Sequence, residues 1–342
     1  MNKGVSIIVC CYNSEKLLPL TLKKLTELTK PEDIGLEIII VDNNSSDNTF
    51  SLAQKILEGN ENNFDFRILK QNIQGLSHSR MMGIENARFE YIIFCDDDNH
   101  LHKEYIEKAF KIMDIHPETA VMGGESFPVS SVEFPFWFDK FSSSYACGKQ
   151  YEEDGDVTDS RGEIWGAGMV IRRSALNEII SKGFKSILSD RTGDQLFSGG
   201  DIEFCYALRL AGWNIRYDSS LKLDHIIHPG KLNWNYLIKL NKGFGKQKVY
   251  LDAYTKSCNP APDNAWKEEA RHIIGKLRRT GLHKAAGYKF LKEGNPDLIK
   301  IEKLLGKLFE LYKIKNKYSL NIENIRTASW NKNSDIYKQR IN

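Results

Sequence analysis

The sequence predicts an α/β fold with a Rossmann-like, mostly parallel central sheet and helices on both faces. In the first half, short apolar runs rich in Val and Ile alternate with helix-like segments. These runs are apolar throughout rather than at every second residue, a pattern typical of parallel strands covered by helices on both sides. A helical, basic and aromatic pattern from residue 231 onward predicts a C-terminal helical region.

The elements of the predicted sheet follow one another along residues 5–115. Apolar runs predict strands at 5–10, 36–41, 64–69 and 91–95. Helices are predicted at 14–29, 47–58, 77–87 and 103–115, with Ser14 and either Ser46 or Asp47 as N-terminal caps. Further on, residues 165–171 and 221–224 predict strands, residues 201–211 predict a helix, and residues 255–265 are the best candidate for a linker.

Polar residues follow three of the predicted strands. They are Tyr12 and Asn13 after the first strand, Asp42, Asn43 and Asn44 after the second, and Asp96, Asp97 and Asp98 after the fourth. In sheets of this kind, ligands bind beyond the carboxyl ends of the strands. We therefore expect these residues to share one site.

Composition excludes several classes of protein. Of the 342 residues, 41% are hydrophobic and 27% are charged, as in ordinary globular proteins, and no apolar run is long enough to span a bilayer. No signal peptide is recognised at the start of the sequence. The six cysteines form no CxxC pair, which favours reduced thiols over a disulfide framework or a zinc site. We expect a cytoplasmic protein.

Charge is distributed unevenly along the chain. Residues 231–342 contain 24 of the 48 Lys and Arg residues but only 10 of the 45 Asp and Glu residues. Such a basic region could contact the anionic inner face of a membrane, the acidic part of the same chain, or nucleic acid. The segment 234–248 could be an interfacial helix or a packing helix with a charged outer face.

The triplet of carboxylates suits a divalent cation. Asp96 and Asp98 can face the same side of an extended turn, and hard cations prefer oxygen ligands. The triplet could equally be a solvated acidic turn, or cap the helix that follows.

Six segments in this order resemble a family 2 glycosyltransferase of the GT-A type. They are residues 5–13, 38–49, 75–83, 94–98, 165–169 and 198–203. The resemblance covers about residues 4–250. It implies a catalytic domain at 1–230, with a nucleotide-sugar half at 1–124 and an acceptor half at 125–230, followed by the basic region at 231–342.

The resemblance also implies roles for particular residues. Those that would bind the nucleotide-sugar are Tyr12, Asn13, Asp42, Asn44, Gly75, Arg80, Asp96 and Asp97. Among them, Asp42 would accept hydrogen bonds from the nucleobase, and Arg80 would pair with the diphosphate unless it forms a surface salt bridge. Asp47 is equally open to a role in this pocket and to capping a helix.

Metal, base and acceptor positions are implied as well. Asp98, Asp96 and His225 would bind Mn²⁺ or Mg²⁺, and His228 is a second candidate for the histidine, which could alternatively contact the diphosphate. Asp201 would be the general base. Gly200 stands where the family usually has Glu, so Glu203 is an alternative base. The residues on the acceptor side would be Trp165, Gly166 and Glu203.

The expected function is inverting transfer of a sugar from a UDP-, GDP- or dTDP-linked donor to a glycan or lipid-linked acceptor, in cell-surface polysaccharide or glycan biosynthesis. One alternative is a non-catalytic nucleotide-sugar-binding protein, for which Gly200 leaves room. A sugar nucleotidyltransferase is less favoured, because residues 11–16 lack the glycine-rich phosphate loop of that class. No recognisable motif supports nucleic-acid binding.

Overall fold

A computed structural model describes residues 2–58, 65–188, 198–280 and 292–332. The chain divides into two compact units. The first comprises Met1–Val129, Ala146–Ser181 and Trp213–Ile227, and the second comprises Ser130–Tyr145, Lys182–Gly212 and His228–Asn342. The last segment of the second unit begins at residue 228, close to the predicted end of the catalytic domain at residue 230. Residues 130–145 and 182–212 also belong to the second unit. The division into nucleotide-sugar and acceptor halves stays a prediction.

The first unit contains strands and helices in alternation. Its strands are β1 (Asn2–Cys11), β2 (Gly35–Asp42), β3 (Asp65–Lys70), β4 (Phe89–Asp96), β5 (Asn99–Leu101), β6 (Thr119–Val129), β7 (Gly155–Asp156), β8 (Val170–Arg172) and β9 (Asn214–Ile226). Its helices are α1 (Leu18–Thr26), α2 (Thr49–Glu58), α3 (Leu76–Asn86), α4 (Tyr105–Ile115) and α6 (Arg173–Ser181). The second unit contains α5 (Phe138–Phe141), α7 (Gly200–Leu210), α8 (Trp234–Thr255), α9 (Ala265–Arg279) and α10 (Pro296–Arg326).

Within the described residues, the strands form one nine-stranded sheet in the first unit. Its order is β3-β2-β1-β4-β8-β6-β9-β5, and β7 pairs with β9. The ladder from β3 to β4 is parallel, as is the pair of β6 and β9. Strand β8 runs antiparallel to both β4 and β6 and joins the two parallel parts. The predicted α/β fold is confirmed.

Helices cover both faces of the parallel ladder. On one face, Val5, Ile7 and Val9 of β1 share a buried core with residues of α1 and α4. On the other face α3 approaches β1 so closely that a Cβ atom on Gly83 would lie 2.5 Å from Ile8. Burial of both faces explains why these strands are apolar throughout.

Three predicted elements differ from the observed ones, and one of them, the strand predicted at 221–224, is much longer and runs over Asn214–Ile226. The first helix begins at Leu18 rather than at Ser14, whose carbonyl accepts the backbone N–H groups of Leu17 and Leu18 in a turn. The strand predicted at 165–171 is shorter and later, at Val170–Arg172. Before it, Gly168 has a φ of +70°, which ends any extended run there. The start of the third predicted strand, residue 64, lies outside the described residues.

The second unit is built around helices α8 and α10. The two backbones touch, because a Cβ atom on Gly245 would lie 1.9 Å from the carbonyl oxygen of Lys303. The interfacial helix considered at 234–248 is a packing helix, since Leu237 and Leu240 are buried. The linker candidate joins α8 to α9 inside this unit, and the Glu323 carboxylate of α10 accepts the backbone N–H of Ala261.

In the part of the chain that the structure describes, no helix combines the length and the apolar content needed to cross a membrane.

A buried carboxylate joins the strands at the amino end of the sheet. Glu37 of β2 is fully buried and accepts hydrogen bonds from Ser6 Oγ at 2.6 Å and from Arg88 N and Nε at 2.7 and 2.9 Å, as well as from the guanidinium of Arg67. Burial alone would raise the pKa of Glu37, but these hydrogen bonds outweigh it and lower the pKa. The carboxylate is therefore ionised in the folded protein at neutral pH.

Replacing Glu37 with Gln should lower the free energy of unfolding by about 2–3 kcal/mol at neutral pH, because two guanidinium groups lose a charged hydrogen-bond partner. The folded-state pKa lies below the unfolded-state pKa. The stabilisation is therefore fully present above the unfolded value and is lost as pH falls through the folded value. Denaturant unfolding at neutral pH and at the most acidic pH at which the wild type folds measures both effects.

Asp33→Asn is the matched control, because its ion pair with Lys3 is on the surface and should contribute little. A loss for Glu37→Gln that does not shrink in acid would contradict the stabilising role of the ionised carboxylate.

Candidate functional site

The register of three parallel strands brings the predicted site residues to one edge of the sheet. Cys11 of β1 lies opposite Asp42 of β2, and Cys10 lies opposite Asp96 of β4. The loops that follow these strands therefore begin side by side.

The loops after β1 and β2 are connected to each other by hydrogen bonds. Asn13 Oδ1 accepts the N–H of Ser46 at 2.8 Å, and the N–H of Asn13 donates to Ser45 Oγ at 3.0 Å. Asn13 and Asn44 both have positive φ values, +52° and +59°, which asparagine tolerates better than most residues. Asn13 and Asn44 thus set the backbone conformation of these loops, and the side-chain oxygen of Asn13 is hydrogen-bonded within the protein.

Asp47 caps the start of α2, one of the two roles that the sequence left open. Its Oδ1 accepts the N–H of Thr49 at 3.0 Å, and its Oδ2 accepts the N–H of Glu15 at 3.2 Å.

A buried asparagine connects Asp42 to the loop before α3. Asp42 is 2% exposed, and its Oδ1 accepts the N–H of Ser45 at 3.3 Å. The next residue, Asn43, accepts the N–H of Gly75 on its Oδ1 at 2.9 Å. Gly75 has a φ of +150°, which only glycine adopts readily. The sequence placed Asn43 among the polar residues after the second strand, but no role in the site was predicted for it.

Arg80 of α3 lies beside the acidic triplet. Its guanidinium carbon is 5.0 Å from the centre of the Phe94 ring, and its Nη2 is 3.9 Å from Asp96 Oδ1. Arg80 is 4% exposed, so the surface salt bridge considered as an alternative is not what the structure contains. A cation is therefore placed next to the carboxylate at the end of β4.

Asp97 faces the loop after β1. Its carboxylate accepts a hydrogen bond from Ser14 Oγ, and its carbonyl oxygen accepts one from Thr21 Oγ1. Asp97 thus attaches the triplet to the first loop and to α1. Tyr12, in that same loop, is 40% exposed.

Asp98 lies beside His225, although 127 positions separate them in the sequence. The antiparallel pairing of β5 with β9 places Asn99 opposite His225, and the Asp98 carbonyl accepts the N–H of Ile226 at 2.8 Å. His225 Nε2 is 3.5 Å from Asp98 Oδ1. Burial alone would lower the pKa of His225, but the charge and hydrogen bond of Asp98, with a contribution from Cys147, raise it to about 10.

The other ring nitrogen of His225 faces a buried cysteine. Cys147 Sγ is 3.8 Å from His225 Nδ1, and Cys147 is 1% exposed. Two hydrogen bonds between the backbones of Gly148 and Ser126, at 2.7 and 3.4 Å, connect the Cys147 segment to β6. Sequence reasoning did not identify this contact, because nothing in the sequence brings Cys147 and His225 together.

His228, the second histidine candidate, has a local role. Its Nδ1 accepts the N–H of Gly230 at 3.0 Å and caps a short 3-10 turn at Pro229–Lys231. His225 is therefore the histidine that the structure places beside Asp98.

Within residues 2–58, 65–188, 198–280 and 292–332, no three His, Cys, Asp or Glu side chains form a ready-made metal site. The predicted ligands are arranged as a pair, Asp98 with His225, while Asp96 faces Arg80. Mg²⁺ at phosphate-binding sites typically uses one or two protein carboxylates together with phosphate oxygens. The carboxylates of Asp98 and Asp96 fit a cation that takes its remaining ligands from phosphate oxygens, whereas His225 would have to release its second ring proton to bind one.

Trp165 and Gly166 lie in the turn that precedes β8. The N–H of Trp165 donates to Gln150 Oε1 at 2.8 Å, and the Arg161 guanidinium lies 5.1 Å from the Trp165 ring centre. The carbonyl of Gly166 accepts the N–H of Met169 at 3.2 Å, and Met169 in turn accepts the N–H of Phe94. The predicted acceptor-side turn is thus attached to β4, the strand that carries the triplet.

The predicted bases, Asp201 and Glu203, lie in the first turn of α7 in the second unit. Asp201 is half-buried, and its Oδ1 accepts the N–H of Ile202 at 3.0 Å.

Glu203 does not suit the role of alternative base or acceptor contact. It is 1% exposed and accepts hydrogen bonds from Ile187 N at 2.8 Å, from Tyr254 OH at 2.6 Å and from the Ser186 hydroxyl. Burial raises the pKa of Glu203, and these hydrogen bonds partly oppose the rise. The carboxylate connects α7 to α8 and to residues 186–188, so this part of the prediction is corrected.

Comparison with known proteins identifies related sequences. The chain is 31% identical over 111 residues to the poly(ribitol-phosphate) β-N-acetylglucosaminyltransferase TarS of Staphylococcus aureus, across 32% of this chain and 19% of TarS. It is 33% identical over 107 residues to the cholesterol galactosyltransferase of Borreliella burgdorferi, across 31% and 28% of the two chains. It is 31% identical over 112 residues to the poly-β-1,6-N-acetyl-D-glucosamine synthase of S. aureus, across 32% and 26%. The matches span less than a third of each relative.

Solved structures of S. aureus TarS 1–349 have a similar fold. The complexes with UDP and with UDP-GlcNAc match with TM-scores of 0.50 and 0.52, at 17% identity, over 98% of this chain and 92% of theirs. Residues 6–180, just over half of the chain, match the family model for glycosyl transferase family 2. The sequence motifs, the fold and this match agree, and the chain belongs to glycosyl transferase family 2.

Proposed function

We propose that this chain is an inverting glycosyltransferase that moves a sugar from a nucleotide-diphosphate donor to an acceptor hydroxyl in cell-surface polysaccharide or glycan biosynthesis. The observation that supports this most is the group of charged side chains at one edge of the sheet. The group consists of Asp42 and Asp96 at the ends of β2 and β4, on the two sides of β1, Arg80 on α3, and Asp98 paired with His225 of β9. Two relatives, one named for sugar transfer to poly(ribitol-phosphate) and one for synthesis of poly-β-1,6-N-acetyl-D-glucosamine, support the biosynthetic context.

The two ends of the donor require different chemistry. Asp42, nearly buried at the end of β2, suits the N–H group of a nucleobase, and the exposed ring of Tyr12 suits contact with its face. Arg80 suits the diphosphate, because a planar guanidinium binds phosphate oxygens in pairs. Among UDP-, GDP- and dTDP-linked donors we favour UDP, because TarS structures contain UDP and UDP-GlcNAc.

We further propose Mn²⁺ or Mg²⁺ as the cofactor, with Asp98 and His225 as its protein ligands and Asp96 nearby. Such a cation neutralises the negative charge that develops on the departing diphosphate. His225 would alternatively contact the diphosphate directly as a cation, since Asp98 raises its pKa.

Asp201 is proposed as the general base. In inverting transfer the acceptor oxygen forms a bond to the anomeric carbon as the bond to the diphosphate breaks, and the acceptor hydroxyl loses its proton to a carboxylate. Of the two acidic residues at the start of α7, Asp201 is half-buried, whereas Glu203 is buried and hydrogen-bonded to the surrounding protein. The acceptor is a glycan or a lipid-linked sugar, and we place the reaction in the cytoplasm, with an anionic membrane surface as a partner.

Transfer or hydrolysis from a panel of UDP-, GDP- and dTDP-sugars should require Mn²⁺ or Mg²⁺ and prefer UDP donors. Asp98→Asn should lower Mn²⁺ affinity in the presence of UDP at least about 100-fold, because a charged ligand is lost, and should lower activity in parallel. Calorimetry of Mn²⁺ binding to the UDP complex measures the first effect. Asp114→Asn, an exposed carboxylate change on α4, is the control. Unchanged Mn²⁺ affinity in Asp98→Asn would refute the assignment of this ligand.

Asp201→Asn should lower kcat about 100-fold or more, because the amide cannot take the acceptor proton, while UDP-sugar affinity stays at the wild-type value. Steady-state kinetics combined with donor titration separates the two effects. Glu268→Gln on the exposed face of α9 should leave both unchanged. If Asp201→Asn kept full transfer activity, the general base would be another residue. Donor binding by the wild type without transfer to any acceptor would favour a non-catalytic binding protein.

Cys147→Ala should weaken Mn²⁺ binding to the UDP complex about tenfold, because His225 loses the neighbour that orients its ring. Cys147→Ser should restore most of the affinity, since a hydroxyl can also pair with Nδ1. Cys258→Ala, at an exposed thiol, serves as the control. Equal affinity in the alanine and serine variants and the wild type would remove the positioning role.

A further inference from the structure

Helix α10 has apolar side chains on two faces. One face is buried and includes Leu311 and Tyr318. The other carries Phe309, Tyr312 and Leu320, whose exposed fractions are 64%, 48% and 55%. Their spacing of three and eight residues places them along one side of the helix. A helix that is apolar on two faces is typical of one that is covered on both sides.

Lysines lie beside this exposed side of α10. The Nζ of Lys246 is 5.9 Å from the centre of the Phe309 ring. Trp266 of α9 packs edge-on against Tyr312, with ring centres 5.5 Å apart. Positive charge and exposed rings therefore occur together on the surface.

Two further lysines lie over the Trp266 ring, with the Nζ atoms of Lys267 and Lys315 at 5.8 and 5.9 Å from its centre. We call this group the aromatic–lysine patch; it consists of the exposed residues Phe309, Tyr312, Leu320, Lys267 and Lys315, together with the half-buried Lys246. The patch belongs to residues 231–342, which contain 24 Lys and Arg against 10 Asp and Glu.

We propose that the aromatic–lysine patch docks the protein on a bilayer that contains anionic phospholipids. Exposed aromatic and aliphatic side chains insert at the boundary between headgroups and acyl chains, while lysines beside them contact lipid phosphates. The long lysine stems lie against apolar surface and keep the ammonium groups in the headgroup layer. The sequence left residues 234–248 open as an interfacial helix or a packing helix; Leu237 and Leu240 of that segment are buried, and only its Lys246 belongs to the patch.

The composition of the patch favours a bilayer over two other partners. A second copy of the chain, bound through the same patch, would bring like-charged lysines together, which opposes association. A single-stranded nucleic acid would use stacked rings along its path. Leu320 has no ring and lies about 12 Å along the helix from Tyr312, beyond the aromatic pair. A bilayer with an apolar interior and an anionic surface accommodates both the apolar side chains and the lysines of the patch.

Co-sedimentation with vesicles tests the proposal without any sugar donor, so that its failure is distinct from failure of the proposed activity. The wild-type chain should bind vesicles of equal parts phosphatidylglycerol and phosphatidylcholine, bind phosphatidylcholine vesicles far more weakly, and lose binding as salt rises. The double change Phe309→Ala with Tyr312→Ala should lower the partition coefficient at least about tenfold. Lys267→Glu with Lys315→Glu should lower it at least about fivefold for each lysine.

Matched controls lie on α4 of the first unit. Ile115→Ala removes a side chain of similar exposure, 62%, and Lys111→Glu reverses an exposed charge. Both should bind vesicles like the wild type, and circular dichroism should show native helix content in all variants. Because the altered side chains are exposed, they should not unfold the protein.

Three results would overturn the proposal. The first is absence of binding to anionic vesicles, or equal binding by the Phe309 and Tyr312 double variant. The second is binding of poly(U), measured by fluorescence anisotropy and lost in the lysine variant, with no vesicle binding. The third is concentration-dependent dimerisation that the aromatic double variant abolishes, which would assign the patch to a second copy.

Discussion

The parallel register of β2, β1 and β4 is the constraint on which the rest of the candidate site depends. Cys11 lies opposite Asp42 and Cys10 opposite Asp96, so both carboxylates leave the sheet at the same edge, on the two sides of β1. A shift of one residue in either pairing would turn the side chains of that strand to the opposite face. The buried hydrogen bonds of Glu37 with Ser6 and Arg88, and of Ser6 with the N–H of Phe89, oppose such a shift, so interactions far from the site also set its geometry.

Antiparallel strand pairings bring a histidine and a thiol to this same edge of the sheet. The pairing of β5 with β9 places His225 beside Asp98, and the pairing of the Cys147 segment with β6 places a thiol at the other ring nitrogen. Each carboxylate of the acidic triplet therefore has a different partner. Asp96 faces Arg80, Asp97 attaches the first loop, and Asp98 pairs with His225. Three adjacent carboxylates have three different electrostatic surroundings.

Several polar residues at the strand ends shape the protein itself. Asn13 and Asn43 connect neighbouring loops through their side-chain oxygens, and Asp47 caps a helix. Glu203 shows the same use of a carboxylate inside the second unit, where it connects three segments. Such internal hydrogen bonds keep backbone groups satisfied at the edge of a sheet, and they hold the loops in the conformation that a ligand would meet.

The sequence by itself determined the α/β fold, the order of its first strands and helices, and the positions of Asp42, Arg80 and Asp96–Asp98 along it. Hydrophobic periodicity and motif order are local properties that a single sequence displays. Only the tertiary structure showed that His225, the histidine that the resemblance favours over His228, lies beside Asp98, that Cys147 contacts its ring, and that Glu203 is buried. Those outcomes depend on strand pairing and helix packing between segments distant in sequence, and neither residue type nor spacing along the chain encodes such contacts directly.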